Sequence, residues 1–306
     1  QTLNVHDVRR LRTAVPCRRC RKTYPLKAVD VVSFHLIKCK ILGFVGETGC
    51  GKTTVGRSIT DLTKPHGGDA KYGGTNILNL PYSQMRDIRL KLRMVFQDPY
   101  ASLNPRRSIG DSVAEAGDIH KLFASADERA RQIAETLTSV GLDPSFASRF
   151  PHELSGGQRQ RVGIARAILP IPDIIIADEP VSALDVSIQA QVLNLLLDLQ
   201  KRLGLTILFI SHDLSVVGQI SDRIAVMYLG QLVETAPTRA LFDAPRHPYT
   251  KALLSAIPSL DPDQRGNIQK LEGEIPSPAN PPSGCKFHTR SEERRVGKEC
   301  RSRWAP

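Results

Sequence analysis

Short apolar runs alternate with longer amphipathic segments along much of the chain. The short runs predict strands, and the segments in which apolar residues recur every three or four positions predict helices. Strands are predicted at residues 26–36, 41–45, 93–97, 174–177 and 206–210 and as a strand–Gly230–strand pair at 223–235, and helices at 53–62 and 187–203. Because strands and helices alternate, we expect an α/β fold with a parallel sheet covered by helices on both faces.

The same pattern divides the chain into segments. A basic segment at residues 1–25 precedes an α/β core at 26–97 and 166–245, and a polar, helical stretch at 98–165 interrupts that core. A Pro-rich tail with no clear core follows at 246–290. The last residues, 291–306, resemble the translation of a sequencing-library adapter, so we expect them to carry neither fold nor function.

Composition excludes several classes of protein. With 306 residues, 41% of them hydrophobic, the chain can form about two domains. No apolar run approaches the ~18 residues of a membrane-spanning helix, and no signal peptide is evident, so we expect a soluble, cytoplasmic chain. Six cysteines do not make a disulfide framework. Cys17 and Cys20 form a lone CxxC, which is weak evidence for a metal site.

The formal net charge is +11, which would suit a protein that binds nucleic acid. Much of this charge is terminal, because seven basic side chains lie between residues 9 and 22. Solvated termini explain such a distribution better than a nucleic-acid surface does.

A glycine-rich loop lies between the strand at 41–45 and the helix at 53–62. Its residues Gly46, Gly51, Lys52 and Thr53 have the spacing GxxxxGKT of a nucleotide phosphate loop. Glycines let backbone N–H groups approach phosphates, Lys52 supplies a positive charge, and the Thr53 hydroxyl can bind Mg²⁺. Cys50 lies near a helix N-terminus, where the pKa of a thiol can fall.

Two further motifs extend this chemistry. Asp178 and Glu179 follow a buried apolar strand, where carboxylates are costly unless they have a function. Ser155 begins the run SGGQ, in which its hydroxyl can cap a helix that starts with two glycines. Such a helix start exposes N–H groups to an anion, and together with the phosphate loop it suggests that ATP is gripped from two sides.

The phosphate loop, Gln97 in VFQDP, LSGGQ, IIIADEP, SALD and ISHD together resemble an ATP-binding cassette (ABC) ATPase, over roughly residues 26–235. The resemblance implies the ABC ATPase fold. That fold has a parallel-sheet, RecA-like core at 26–97 and 166–245, N-terminal antiparallel strands, and an inserted helical signature subdomain at 98–165. It implies ATP and Mg²⁺ as cofactors and ATP hydrolysis as the reaction.

The resemblance also assigns roles to residues. Glu179 would be the general base, His212 would hold the γ-phosphate, and Gln97 would sense the γ-phosphate and Mg²⁺. The implied Mg²⁺ ligands are Thr53, Gln97 and Asp178. The implied ATP-binding residues are Gly46, Glu47, Thr48, Gly49, Cys50, Gly51, Lys52, Thr53, Thr54, Ser155, Gly156, Gly157, Gln158, Asp185 and Tyr24. Among these, Ser155 to Gln158 would close over ATP on a partner subunit, Asp185 would link the two sites, and Tyr24 would stack on adenine.

The runs QDPYASLNPR, EPVSALDVSIQAQV, HPYTKALLSAIP and EGEIPSPANPPSGCKFHTR further resemble ATPase subunits of oligopeptide and dipeptide importers, of the F type. The resemblance implies two transmembrane permease subunits as partners, a sister ATPase in a heterodimer or a second copy in a homodimer, and indirectly a substrate-binding protein. It places the chain on the cytoplasmic face of the plasma membrane and implies no nucleic acid. Peptides are the expected cargo, with nickel or glycosylated peptides left open.

Two alternative functions remain open. A soluble ABC ATPase acting on nucleic acid or ribosomes is the main alternative, although the chain has neither a long coiled coil nor a second cassette. A non-catalytic binding subunit is disfavoured by Lys52, Glu179 and His212.

The family usually has Gly where this chain has Val31, and Gly-Glu where it has Cys39-Lys40, so we expect local strain in both turns.

Overall fold

A computed structural model of the chain describes residues 2–16, 23–78, 80–257 and 275–290. The side chains of residues 9–16 and 23–27 lie outside that description, as do Cys17, Cys20 and the segment 291–306. The chain divides into two compact units. One comprises Leu36–Lys40 and Asn79–Ile210, and the other comprises Thr2–His35, Ile41–Leu78 and the described residues from Ser211 onward.

The described residues form strands and helices in alternation. The strands are β1 (Leu3–Pro16), β2 (Thr23–Leu36), β3 (Ile41–Val45), β4 (Gly67–Tyr72), β5 (Thr75–Asn76), β6 (Leu92–Val95), β7 (Ile174–Asp178), β8 (Thr206–Ile210), β9 (Arg223–Tyr228) and β10 (Gln231–Pro237). The α-helices are α1 (Lys52–Ile59), α2 (Tyr82–Lys91), α3 (Pro99–Ser102), α4 (Ile109–His120), α5 (Ala126–Ser139), α6 (Gly156–Ile168), α7 (Val186–Leu203), α8 (Leu214–Ile220), α9 (Thr238–Asp243) and α10 (Pro248–Ser255).

Parallel strands form the core of each unit, as the apolar runs predict. In one unit β6, β7 and β8 are neighbours and run parallel, with Ile174 opposite both Leu92 and Thr206. In the other, β3 runs parallel to β9, and β10 completes an antiparallel pair with β9. Strands β3, β7 and β8 are buried along their whole length, which explains why they are continuous apolar runs without alternation.

The expected antiparallel strands form a second sheet, in the order β2-β1-β4-β5. The apolar pattern does not predict β1, which lies within the basic segment. Leu3, Val5 and Val8 are fully buried, but their spacing changes from two to three residues. The change occurs at Asp7, where φ is 49° and the register with β4 shifts. A bulge of this kind interrupts the alternation by which a strand is recognised.

The helical stretch between β6 and β7 is held together by ion pairs. Glu115 on α4 accepts from Arg166 on α6 at 2.6 Å and from Arg107 at 2.8 Å. Arg166 also donates to the carbonyl of Ser102, the last residue of α3, at 2.8 Å. Glu115 therefore ties α4 to α6, the helix that begins within the SGGQ motif.

The C-terminal tail has a core, contrary to the expectation from its Pro-rich sequence. Tyr249 on α10 is fully buried, and Phe287 is 3% exposed. The two rings lie 5.6 Å apart, and each also contacts Tyr228 at the end of β9. Three aromatic side chains bury enough apolar surface to hold a segment that has little regular structure.

Both departures from the family pattern fall on left-handed backbone. Val31 has φ 56° and Cys39 has φ 57°, a region that favours glycine. Cys39 gains compensating contacts, since its N–H donates to Thr206 at 3.1 Å and its carbonyl accepts from Gln200 at 2.7 Å. Val31 is β-branched and exposed on β2, so its strain is the more costly.

Replacing Val31 by Gly is therefore expected to stabilise the protein. A left-handed backbone costs a residue with a Cβ about 1–2 kcal/mol. The greater conformational freedom of Gly in the unfolded chain destabilises the folded state and offsets about half of the gain from removing that strain. We expect a net gain of about 0.5–1 kcal/mol, or a rise of about 1–4 °C in the Tm, measured by differential scanning calorimetry.

Val186→Gly is the matched control. Val186 is 83% exposed and begins α7 without a positive φ, so Gly there is expected to lower the Tm slightly. A lower Tm for the Val31→Gly protein as well would contradict the strain.

Candidate nucleotide site

The phosphate loop runs from buried strand β3 into helix α1, as the sequence predicts. Its glycines are required by the backbone. Gly46 and Gly51 have φ angles of 157° and 112°, and a Cβ on either would lie 2.1–2.2 Å from the carbonyl oxygens of Met227 and Ala28. Thr48 and Gly49 are exposed at the tip of the loop, whereas Thr54 is buried in the first turn of α1.

Lys52 is 4% exposed and folds back onto its own loop. Its Nζ donates to the carbonyls of Gly46 at 2.6 Å and Glu47 at 3.1 Å. Among the residues that the structure describes, its hydrogen-bond partners are these two backbone carbonyls and the Cys50 thiol, and a buried ammonium group so held can exchange them for phosphate oxygens. Thr53, the expected Mg²⁺ ligand, follows it in the first turn of α1.

The Cys50 thiol behaves differently from the expectation of a lowered pKa. Cys50 is 5% exposed, and burial raises its pKa, although Lys52 acts in the opposite direction. Desolvation of the thiolate outweighs the charge of the lysine and the nearby helix N-terminus. Cys50 is thus a packed side chain of the loop with a predominantly protonated thiol.

In the other unit, two of the predicted catalytic residues, Glu179 and Gln97, form a hydrogen bond. Asp178 is the last residue of β7 and is fully buried, and Glu179 follows it at 9% exposure. The Glu179 carboxylate accepts a hydrogen bond of 3.1 Å from Nε2 of Gln97. Glu179 also has φ 46°, and its N–H donates to the carbonyl of Ile210 at 2.9 Å. A residue with a strained backbone, whose N–H and carboxylate are both fixed by hydrogen bonds, is typical of functional sites.

The SGGQ motif forms a helix N-terminus in that same unit. The Ser155 hydroxyl accepts from the N–H of Gln158 at 3.3 Å, and the Gln158 side chain accepts from the N–H of Ser155 at 2.9 Å. This capping box confirms the predicted cap and starts α6 with Gly156 and Gly157. A Cβ on Gly157 would lie 2.7 Å from Ile188, so the helix start needs glycine there.

The remaining predicted residues lie at the ends of other elements. His212 is exposed, directly before Asp213, whose side chain caps α8. Asp185 is exposed at the N-cap of α7. Tyr24 lies in β2, but its side chain is outside the described part of the chain.

Comparison with known proteins identifies the family. The ABC transporter family model matches residues 29–182, and the model of the oligopeptide/dipeptide transporter C-terminal region matches residues 233–300. The oligopeptide transport ATP-binding protein AppF of Bacillus subtilis is 54% identical, with 88% of this chain and 83% of that protein covered. The dipeptide transport ATP-binding protein DppF of Haemophilus influenzae is 52% identical, with 88% and 82% covered.

The chain belongs to the ABC transporter family. Among solved structures it is similar to the ATP-binding cassette MJ0796, seen as a dimer bound to ADP and Pi, at 28% identity and a TM-score of 0.69. The comparison covers 78% of this chain and 99% of that structure's chain. The predicted fold class and family are confirmed, and the chain is an ATP-binding and ATP-hydrolysing member of the family.

Within the ranges that the structure describes, no helix of this ABC ATPase is both long and apolar enough to cross a bilayer.

Sequence reasoning missed the residues that support the phosphate loop of this ABC ATPase from the C-terminal tail. The N–H of Glu47 donates to the Tyr249 hydroxyl at 2.9 Å, and Arg290 contacts the Glu47 carboxylate at 2.9 Å. Tyr249 and Arg290 lie 202 and 243 residues after Glu47, so no local pattern relates them. The only signal was the tail's own likeness to the peptide importers.

The start of α10 contains a histidine held neutral by its surroundings. His247 is 6% exposed, and its Nδ1 accepts from the N–H of Tyr249 at 3.1 Å. Burial lowers its pKa to about 4, although Glu234 acts to raise it. Protonation would remove the acceptor that caps α10 and would bury a charge.

We therefore expect this ABC ATPase to lose stability in mild acid. In the unfolded chain His247 has an ordinary pKa near 6.5, so between about pH 6.5 and 4 the unfolded state binds the extra proton and the free energy of unfolding falls as pH falls. At pH 5 the loss from this group is about 2 kcal/mol. Denaturant unfolding at pH 7.5 and pH 5 measures it.

His247→Asn supplies the comparison, because Asn caps a helix without titrating in this range. The free energy of unfolding should fall less between the two pH values in the variant than in the wild type. An identical fall in both proteins would show that His247 does not carry the effect.

Proposed function

We propose that this chain is the ATPase subunit of an importer of oligopeptides or dipeptides and that ATP binding and hydrolysis in it drive a membrane permease. The observation that carries the cargo class is the match of residues 233–300 to the oligopeptide/dipeptide transporter C-terminal region, in a chain whose residues 29–182 match the ABC transporter family. The relatives named for oligopeptide and dipeptide transport support it over most of the chain.

The phosphate loop is proposed to bind the triphosphate. Lys52 leaves the carbonyls of Gly46 and Glu47 for the β- and γ-phosphates, and the N–H groups at the start of α1 face the same oxygens. The residues assigned to this task are Gly46, Glu47, Thr48, Gly49, Cys50, Gly51, Lys52, Thr53 and Thr54. Tyr24 is proposed to stack on adenine.

Residues of the other unit are proposed to carry the hydrolysis. Glu179 accepts the proton of the attacking water, and the hydrogen bond from Gln97 fixes the direction of its carboxylate. His212, which belongs to the unit that contains the phosphate loop, is proposed to hold the γ-phosphate.

Oxygen donors present in the chain suit Mg²⁺. The Asp178 carboxylate is fully buried at the end of β7, and Gln97, which uses Nε2 on Glu179, keeps its Oε1 as a ligand. Thr53 supplies a hydroxyl. Mg²⁺ would neutralise charge that develops on the phosphates.

We propose that two cassettes act together, with Ser155 to Gln158 of one closing over ATP on the other. Val186, beside Asp185 at the start of α7, is 83% exposed, which suits a surface covered by a second subunit. The partner is a sister ATPase in a heterodimer or a second copy. Tyr100, three residues after Gln97 and 55% exposed, is proposed to face a permease.

The complex would thus hold two permease subunits and, indirectly, a substrate-binding protein, on the cytoplasmic face of the plasma membrane. Action on nucleic acid or ribosomes is not favoured, because the relatives over most of the chain are transport proteins.

Purification of the tagged chain from detergent-solubilised membranes tests the proposal. Mass spectrometry is expected to identify two multi-spanning permeases and a second cassette in stoichiometric amounts. Stoichiometric nucleic acid or ribosomal proteins without a permease would overturn the transport assignment and leave the ATPase chemistry intact.

A further inference from the structure

A short C-terminal segment, residues 285–290, is fixed against the unit that contains the phosphate loop. Lys286 donates to the carbonyl of Leu229 at 2.7 Å and pairs with Asp30 at 2.9 Å, with only 10% of its side chain exposed. The Phe287 ring contacts the rings of Tyr228 and Tyr249, which also contact each other. The largely buried ion pair and the buried ring together hold this segment in place.

The end of the segment reaches the phosphate loop itself. Nη1 of Arg290 donates to both carboxylate oxygens of Glu47, at 3.1 and 2.9 Å. The Arg290 side chain is 7% exposed and that of Glu47 is 26% exposed, so the pair is largely shielded from water. Charge pairs in such surroundings are stronger than exposed ones, provided that both partners are present.

A second contact fixes the same residue through its backbone. The buried Tyr249 hydroxyl accepts the N–H of Glu47, and the Glu47 carbonyl accepts from Lys52. Glu47 is therefore held by the tail at its N–H and carboxylate, while its carbonyl holds the lysine that is proposed to bind phosphate. The tail and the lysine share one residue.

The negative charge of Glu47 affects the binding of a triphosphate in this loop. A carboxylate in a loop that binds a triphosphate repels the ligand unless a cation neutralises it. In the part of the chain that the structure describes, Arg290 is the cation whose ion pair with Glu47 is seen. Loss of Arg290 would leave a partly buried negative charge beside the phosphates and release the loop from the tail.

We propose that Arg290 and Tyr249 are positioning residues for nucleotide binding, through which the C-terminal segment sets the conformation and charge of the phosphate loop. The inference rests on the proposed nucleotide site and adds that the affinity for ATP depends on the seating of the tail. A partner or modification that displaced residues 285–290 would weaken ATP binding.

A double-mutant cycle on the full-length chain tests this. The affinity for MgATP is measured by calorimetry in the wild type, Arg290→Gln, Glu47→Gln and the double variant. Arg290→Gln is expected to weaken binding about tenfold and to raise the KM for ATP with kcat changed less than about twofold. The double variant, with no carboxylate to neutralise, is expected to recover to within about threefold of the wild type.

Arg239→Gln is the matched control. It removes the same charge from the C-terminal part of the chain, but the Arg239 side chain is 94% exposed and forms an exposed ion pair with its helical neighbour Asp243. We expect no change in affinity. Equal losses for Arg290→Gln and the double variant, or an equal loss for Arg239→Gln, would overturn the proposal.

Hydrogen–deuterium exchange on the wild type gives an independent readout that does not require the variants to fold. Because binding and seating are linked, a non-hydrolysable ATP analogue should slow amide exchange in residues 285–290 as well as in the loop. Slowed exchange in the loop alone would overturn the proposal. If the wild type binds no nucleotide, or if Lys52→Ala binds as well as wild type, it is the proposed site that fails.

Discussion

Replacement of Glu179 by Gln is expected to reduce ATP hydrolysis about 10²- to 10⁴-fold while leaving ATP binding intact. The amide cannot accept a proton from water, but it keeps the volume of the carboxylate and its contact with Gln97. Because ATP would then persist at the interface of two cassettes, ATP-stabilised dimers should accumulate. Phosphate release measures the rate, and size-exclusion chromatography with MgATP measures the dimers.

Glu135→Gln is the control for this substitution. Glu135 lies on α5, is 68% exposed and pairs only at 4.0 Å with Arg131, so its loss should not change the rate. Unchanged hydrolysis in the Glu179→Gln protein would refute the assignment of Glu179 as general base.

Replacement of Lys52 by Ala is expected to weaken MgATP binding about 100-fold. The buried ammonium group is the only positive charge in the sequence of the phosphate loop, and truncation of a buried partner of a charged ligand costs about 2–5 kcal/mol. Calorimetry at constant ionic strength measures the loss. The isolated protein should remain folded, because the hydrogen bonds of Lys52 to other described residues all lie within its own loop.

Lys201→Ala, on an exposed position of α7, controls for the change in net charge. Its affinity for MgATP should equal that of the wild type. Comparable losses in both variants would mean that the effect is electrostatic at long range and that Lys52 has no direct part in binding.

Motifs in which function requires fixed spacing could be predicted closely. The phosphate loop, the SGGQ helix start and the Asp178–Glu179 pair lie where the sequence places them, because each depends on a few neighbouring residues. The buried strands were equally predictable, since a strand covered on both faces is a continuous apolar run. The hydrogen bond between Gln97 and Glu179 was not predicted, because 82 residues separate the two.

Features that depend on long-range contacts escaped prediction. Strand β1 has a bulge at Asp7 that breaks its alternation, and the tail is ordered by three rings that are far apart in sequence. The Cys50 thiol was misjudged because burial, which decides its pKa, is not visible in the sequence. In contrast, the strain at Val31 could be anticipated, because a departure from Gly indicates a backbone that only Gly adopts without cost.

The most direct test of the central claim is peptide uptake into proteoliposomes. The purified complex of this chain, its permeases and its partner cassette is reconstituted with MgATP inside and with the substrate-binding protein and a labelled oligopeptide outside. We expect peptide to accumulate inside only when ATP is hydrolysed, and we expect Glu179→Gln to abolish both peptide accumulation and ATP hydrolysis. ATP hydrolysis that proceeds without peptide accumulation would contradict this expectation.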